Sequence, residues 1–178
     1  MNGVAASAPG RTSLVGLWSR FAWATVLAAL ITVLAGCGLT IPSDPSGTLD
    51  DVRGGVLHAG VSLHDGFVSV DGDEPAGTEI EAIRAFAESL DARVEWTVGS
   101  EEALVRGLEN EELDLVAGGL TDETPWVDMA GVTRPYTEIT DADGTTRKLV
   151  MLVPMGENAF ISELETFLSG YVDDGGER

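Results

Sequence analysis

Apolar residues at helical spacing mark the most regular element of this chain. The positions that share one face of the predicted helix are Ile80, Ile83, Phe86, Ala87 and Leu90. Thr78 and Glu81 have the spacing of a capping box, in which each side chain satisfies the other residue's backbone amide. The pattern therefore predicts an amphipathic helix that begins at Thr78 and packs one side against a core.

Short apolar runs before and after this helix predict the strands of a sheet. Residues 56–61 precede the helix and residues 93–98 follow it. Residues 113–117 and 148–153 form two more such runs, and residues 130–133 a shorter one. The run at 148–153 is the most strand-like of the chain, and we expect it to form one continuous strand.

Two further helices complete the pattern. Ser100 is placed to cap a helix that turns Leu104 and Leu108 inward. Residues 157–168 form a final amphipathic helix, for which Gly170 is the expected stop. Strands that alternate with helices predict a three-layer α/β fold, with a mostly parallel sheet and helices on both faces.

The N-terminal part of the chain has the pattern of a secretory signal. Arg11 and Arg20 precede an apolar run at 21–33, and no acidic residue comes before it. Residues 34–37, Leu-Ala-Gly-Cys, resemble the lipobox of bacterial lipoproteins, and Cys37 is the only cysteine. The resemblance implies removal of residues 1–36 and diacylation of Cys37, which would anchor the protein on the extracytoplasmic face of the cell membrane. An uncleaved transmembrane helix and plain secretion remain open alternatives.

Composition predicts how the remaining residues are organised. Residues 37–54 are rich in Gly, Pro, Ser and Asp without periodicity, which is typical of a flexible tether. Residues 55–170 carry the predicted strands and helices and are long enough for one domain. The acidic tail at 171–178 is predicted to be disordered.

The charge of the chain restricts its partners. Thirty acidic residues against ten basic ones give a net charge of −20, which repels nucleic acid and anionic lipid headgroups. Membrane attachment would then depend on acyl chains. We find no nucleophile–base pair, no phosphate-binding loop and no metal-ligand pattern, since His64 beside Asp65 lacks a matched further ligand. The sequence predicts neither an enzyme nor a bound cofactor or metal.

The order of several short motifs resembles the extracellular solute-binding proteins of family 3, which serve amino-acid ABC importers. The matching segments, in chain order, are residues 55–61, Phe67, residues 77–81, residues 94–96, Leu108, residues 114–119, Thr121 and residues 135–136. The resemblance implies one lobe of a periplasmic-binding-protein-like fold and an ABC permease as partner.

Two departures from that family change what the resemblance implies. Family members build a second lobe after the Pro-Tyr pair, whereas only residues 137–147 separate Tyr136 from the last predicted strand. We therefore expect the second lobe to be replaced by a tight turn. The arginine that clamps the solute carboxylate in the family is replaced by Trp126, near Asp122 and Glu123. Solute affinity should be poor unless a partner or a second copy supplies the other wall.

The candidate binding residues follow the first and third strands, because ligands of open α/β sheets bind at the carboxyl ends of the strands. Asp65 and Phe67 follow the first strand, and Gly119, Thr121 and Trp126 follow the third. Each has an ordinary structural alternative: Thr121 as a local cap, Gly119 as a turn, and the two aromatic residues as cover for apolar surface. The sequence thus predicts a membrane-anchored, solute-binding-like lipoprotein. The alternative is an accessory lipoprotein that binds a membrane or envelope protein and no longer captures a solute.

Overall fold

The alternating strands and helices predicted from the sequence are present in the structure. This computed structural model describes residues 43–64, 67–71, 74–140 and 144–175. The helices are α1 (Thr48–Val52), α2 (Thr78–Ser89), α3 (Glu101–Glu109) and α4 (Asn158–Asp173). The strands are β1 (Val56–Val61), β2 (Ser69–Asp71), β3 (Glu74–Ala76), β4 (Arg93–Val98), β5 (Leu115–Ala117), β6 (Gly131–Val132), β7 (Thr137–Thr140), β8 (Thr146–Leu149) and β9 (Leu152–Val153).

A five-stranded sheet in the order β4-β1-β5-β9-β6 forms the centre of the fold. Strand β1 pairs in parallel with β4 along its whole length, from Val56↔Arg93 to Val61↔Val98, and in parallel with β5. Strand β9 runs antiparallel to both β5 and β6. The α/β class predicted from the sequence is confirmed, with an antiparallel β9 added to the parallel strands.

The two faces of the sheet carry two separate parts of the core. Successive residues of a strand point to opposite faces, and Leu115 and Ala117 of β5 accordingly pack with α2 and α4. Val116 packs on the other side with Leu104 and Leu108 of α3. Ser100 caps α3 as predicted, because its hydroxyl accepts a hydrogen bond from the Ala103 amide at 3.4 Å. Helices therefore cover both faces of the sheet.

The segment predicted as a tether is folded from Ser43 onward. Thr48, Leu49 and Val52 of α1 are buried. The Asp44 carboxylate accepts hydrogen bonds from the amides of Ala159 and Phe160 at the start of α4, at 2.7 and 3.0 Å. Local composition could not reveal this, since Ala159 and Phe160 lie 115 and 116 residues from Asp44. The prediction of a tether was wrong for residues 43–53, and the rest of it, with Cys37, lies outside the described residues.

The C-terminal third differs from its prediction in two places. The run at 148–153 is divided between β8, which pairs with β7, and β9, which joins the central sheet. Helix α4 continues past Gly170 to Asp173, and the rings of Phe167 and Tyr171 stack at 5.6 Å between centroids. Gly170 therefore does not end the helix, and the tail is helical as far as Asp173.

Strands β7 and β8 form a hairpin at the place where the family resemblance led us to expect a tight turn. Strands β7 and β8 pair in register from Thr137↔Leu149 to Thr140↔Thr146. The predicted turn at residues 141–143 lies outside the described residues. The described residues contain no helix that is both long and apolar enough to cross a membrane.

Candidate functional site

The carboxyl ends of β1 and β5 meet at one edge of the sheet. Val61 is in register with Ala117, and the Ser62 amide donates to the Ala117 carbonyl at 3.0 Å. Residues 62–64 therefore leave the sheet beside Gly118 and Gly119. We call this region the carboxyl edge, and it is where the sequence predicted a ligand.

Three glycines allow the backbone segments at the carboxyl edge to come into contact. A Cβ on Gly118 would lie 2.9 Å from the Ser62 amide nitrogen, and one on Gly119 would lie 2.7 Å from Cγ of the His64 ring. A Cβ on Gly77 would overlap the carbonyl oxygen of Phe67. All three glycines have positive φ, which side chains disfavour. Residues 62–64 and 67–68 are thus held between the end of β5 and the start of α2.

A buried carboxylate lies beneath this contact. Glu79, in the first turn of α2, is only 2% exposed. One of its oxygens accepts the Gly119 amide at 2.7 Å, and the other accepts the Tyr136 hydroxyl at 2.6 Å. Glu79 therefore links α2, the end of β5 and the segment that follows β6.

Burial dominates the electrostatics of this pair. Loss of water raises the pKa of Glu79 above its usual range, and the hydrogen bonds from Tyr136 and from the Gly119 and Gly118 amides only partly oppose this. Burial and the neighbouring Glu79 carboxylate raise the pKa of Tyr136. The phenol therefore stays protonated at neutral pH and remains the hydrogen-bond donor of the pair.

Phe67 and Gly119 are brought together at the carboxyl edge. The half-buried Phe67 ring lies 5.3 Å from the His64 ring between centroids, and His64 in turn lies against Gly119. Asp65, the remaining candidate of this loop, lies outside the described residues. His58 lies on an exposed sheet face, and its Nδ1 is 3.1 Å from the Asp114 carboxylate.

Thr121 and Trp126 take part in local structure. Thr121 forms a bridge with Leu149, and its carbonyl accepts the Thr124 amide at 2.9 Å. The Trp126 indole N–H donates to the Glu101 carboxylate at 3.1 Å, and its ring packs with the core on the α3 side of the sheet. Trp126 is therefore tied to the start of α3.

Sequence reasoning missed Glu79 as a site residue and misread the start of α2. No capping box forms, because the N-cap is Gly77, which has no side chain that could accept a hydrogen bond. Thr78 is the first helical residue, and Glu79 points inward. The signal was in the periodicity: Glu79 lies four and seven positions before Ile83 and Phe86, which places it on the buried stripe. Tyr136 was recognised only as part of a family motif.

The described residues offer no metal centre. No group of three His, Cys, Asp or Glu side chains among them is arranged to hold a metal ion. The chemistry available at the carboxyl edge, within the described residues, is that of hydrogen bonding and aromatic contact around Glu79, His64 and Phe67.

Structural neighbours share this fold. Domain 1 from TmArgBP, in its arginine-bound form, matches with a TM-score of 0.59 and 17% identity over 68% of this chain and 97% of that one. A Salmonella typhimurium periplasmic binding protein with high arginine specificity matches with a TM-score of 0.57 and 14% identity, over 65% of this chain and 92% of that one. An ancestral cyclohexadienyl dehydratase matches with a TM-score of 0.64 and 14% identity, over 76% and 93%. At such identities the matches establish the fold alone.

The sequence itself identifies the family. A search of curated protein sequences found no match. The sequence model of the bacterial extracellular solute-binding proteins, family 3, matches residues 59–176, from within β1 to beyond the end of α4. That span includes every element of the carboxyl edge, as the order of motifs predicted. The chain belongs to the bacterial extracellular solute-binding proteins, family 3.

Proposed function

We propose that this protein is a lipid-anchored, extracytoplasmic receptor that binds a small polar solute at the carboxyl edge of a single lobe. The observation that carries the proposal is the contact of Ser62 with Gly118 and of His64 with Gly119, above the buried Glu79. Family membership supports solute binding as the activity. The residues proposed to face the solute are Asp65, Phe67, Gly119, Thr121 and Trp126.

The charge of the protein favours a cationic solute. The chain carries a net charge of −20, and Asp122 and Glu123, which directly follow Thr121, are exposed. Acids near a site concentrate cations and repel anions. Among the structural neighbours, one is a domain in an arginine-bound form and one has high arginine specificity. We therefore propose a basic amino acid as the solute.

A single lobe is sufficient for weak binding. Hydrogen bonds on an open surface compete with water and contribute about 1 kcal/mol each. A few such contacts give a dissociation constant on the order of 1 mM. The arginine-bound form of domain 1 from TmArgBP is a related domain solved alone with its solute. The proposed affinity is therefore low, and a partner that covered the edge would raise it.

Calorimetric titration of the purified protein with arginine and with glutamate tests this proposal. We expect arginine to bind and glutamate to give no heat. Gly119→Ala should weaken arginine binding about tenfold, because its Cβ displaces the His64 ring. A loss of about 1.4 kcal/mol in binding free energy corresponds to that factor. Gly144→Ala is the matched control: φ is also positive there, at +86°, but no atom lies within 4 Å of the added Cβ. No heat with any basic, neutral or acidic amino acid would refute solute binding.

The anchor is proposed at Cys37. We expect the protein from the membrane fraction to lack residues 1–36 and to carry acyl mass on Cys37, measured by intact-mass spectrometry. Cys37→Ser should release the protein from the membrane, since no other cysteine is present to be acylated. An intact N-terminus on membrane-bound protein would contradict the lipoprotein proposal.

A second candidate function is supported by the apolar surface at the same edge. Leu63, two residues after the end of β1, and Val98, the last residue of β4, are 60% and 46% exposed. Such residues suit contact with a protein, either an ABC permease or another envelope protein. An accessory role without solute capture would be favoured by a silent titration together with a reproducible crosslink from position 63 to one membrane protein.

A further inference from the structure

Burial of the Glu79 carboxylate costs free energy. A carboxylate removed from water is costly unless every oxygen is satisfied, and an apolar residue of similar size often serves stability as well or better. Here both oxygens are satisfied, one by Gly119 and one by Tyr136. The structure therefore contains a fully bonded acid directly beneath the carboxyl edge.

The position of the candidate loop depends on this acid through Gly119. The Gly118–Gly119 peptide is held at both ends: the Ser62 hydroxyl donates to its carbonyl at 3.3 Å, and its N–H donates to Glu79. The His64 ring lies against Gly119, and Phe67 lies against His64. A rotation of this peptide would consequently move the aromatic side chains of the loop.

We propose that Glu79 is a positioning residue of the solute site, whose ionised carboxylate holds the Gly118–Gly119 turn, and through it His64 and Phe67, in the arrangement that binds solute. The inference rests on the proposed function. A merely structural role would require only a side chain of this shape with a hydrogen-bond acceptor. A positioning role of the ionised form makes binding depend on the charge of Glu79.

The sign of the pH dependence separates the two roles. Ionised Glu79 accepts both hydrogen bonds with full charge, whereas a proton on one oxygen weakens the hold on Gly119. Solute affinity should therefore fall as pH drops through the raised pKa of Glu79. Stability behaves oppositely: because the folded state raises the pKa of this acid, the folded state is favoured by the proton at low pH, and that contribution is lost as pH rises through the raised pKa. The other titratable groups that face Glu79 are Tyr136, which follows β6, and His64, in the loop after β1.

The test follows arginine affinity and the Gly119 amide proton by NMR from acid to neutral pH, with the full-length protein in detergent. In the unmodified protein we expect the affinity to fall about fivefold toward acid pH, in step with a shift of the Gly119 amide resonance. Glu79→Gln keeps the shape of the side chain but cannot ionise. This variant should bind arginine weakly at every pH and show neither the fall in affinity nor the shift of the Gly119 amide resonance. Tyr136→Phe removes a hydrogen-bond donor to the carboxylate and should move the midpoints of the affinity change and of the amide shift to higher pH.

Two further variants serve as controls. Glu81→Gln removes an exposed acid from the same helix and should leave the pH dependence of arginine affinity and of the Gly119 amide resonance unchanged. In His64→Gln protein the shift of the Gly119 amide resonance should persist, which separates the effect of Glu79 from that of the neighbouring imidazole. Arginine binding with the same pH profile in Glu79→Gln protein would overturn this inference alone, and so would a shift of the Gly119 amide resonance that disappears only with His64→Gln. Failure of arginine and every other solute to bind would overturn the proposed function and this inference with it.

Discussion

Gly77→Ala should lower the free energy of unfolding by about 4 kcal/mol, which is most of the stability of a marginally stable domain. Gly77 precedes α2 with φ 135° and ψ 174°, a conformation that is essentially restricted to glycine. An added Cβ would also overlap the Phe67 carbonyl oxygen and lie 2.8 Å from its carbon. Since the obstacle is backbone, no side-chain rotation relieves it.

Urea denaturation followed by far-UV circular dichroism measures this loss. Gly156→Ala is the matched control, because φ is +92° there but no atom lies within 4 Å of the added Cβ. The control should lose about 1 kcal/mol, the cost of a left-handed conformation alone. Equal losses in the two variants would mean that the close approach of Gly77 to Phe67 does not exist in solution.

Phe160→Ala should cost about 3–5 kcal/mol, because it empties a fully buried aromatic position. The Phe160 ring meets Phe86 of α2 edge to face, with centroids 5.8 Å apart, and thereby joins α4 to α2 over the sheet. The same change at Phe167 is the comparison. That ring also contacts Phe86, at 5.4 Å, but it is only partly buried, so its removal leaves a smaller cavity.

Thermal and urea unfolding of the two phenylalanine variants provide the comparison. The account predicts a clearly larger loss of stability for Phe160→Ala than for Phe167→Ala. If Phe167→Ala proved the more damaging change, helix α4 would have to pack on α2 in a different orientation from the one described.

The parts of the fold that the sequence predicted are those determined by neighbouring residues. The stripe from Ile80 to Leu90 defined α2, the apolar runs defined β1 and β4, and Ser100 marked the start of α3. These signals are local, because helix and strand periodicity and capping act over a few positions. The family was also recognised from short motifs in order, and the family sequence model confirms it.

The features that the sequence did not predict depend on contacts between distant segments. Asp44 was assigned to a tether, yet it caps α4, and nothing near it in the chain indicates that partner. Glu79 was given no role, because the predicted capping box paired Thr78 with Glu81, and its partners Gly119 and Tyr136 lie 40 and 57 positions away. Distant carboxylates that satisfy backbone amides leave no periodic signal, and for that reason the centre of the candidate site was missed.

The central claim is that solute binds at the carboxyl edge of this single lobe, and an NMR titration of isotope-labelled protein with arginine tests it most directly. The account predicts saturable shifts of the Gly118, Gly119 and Thr121 amides and of the Phe67 ring, with little change in α4. The account would be contradicted if these resonances stayed unmoved at saturating arginine, or if the shifts centred on the α4 surface around Tyr171.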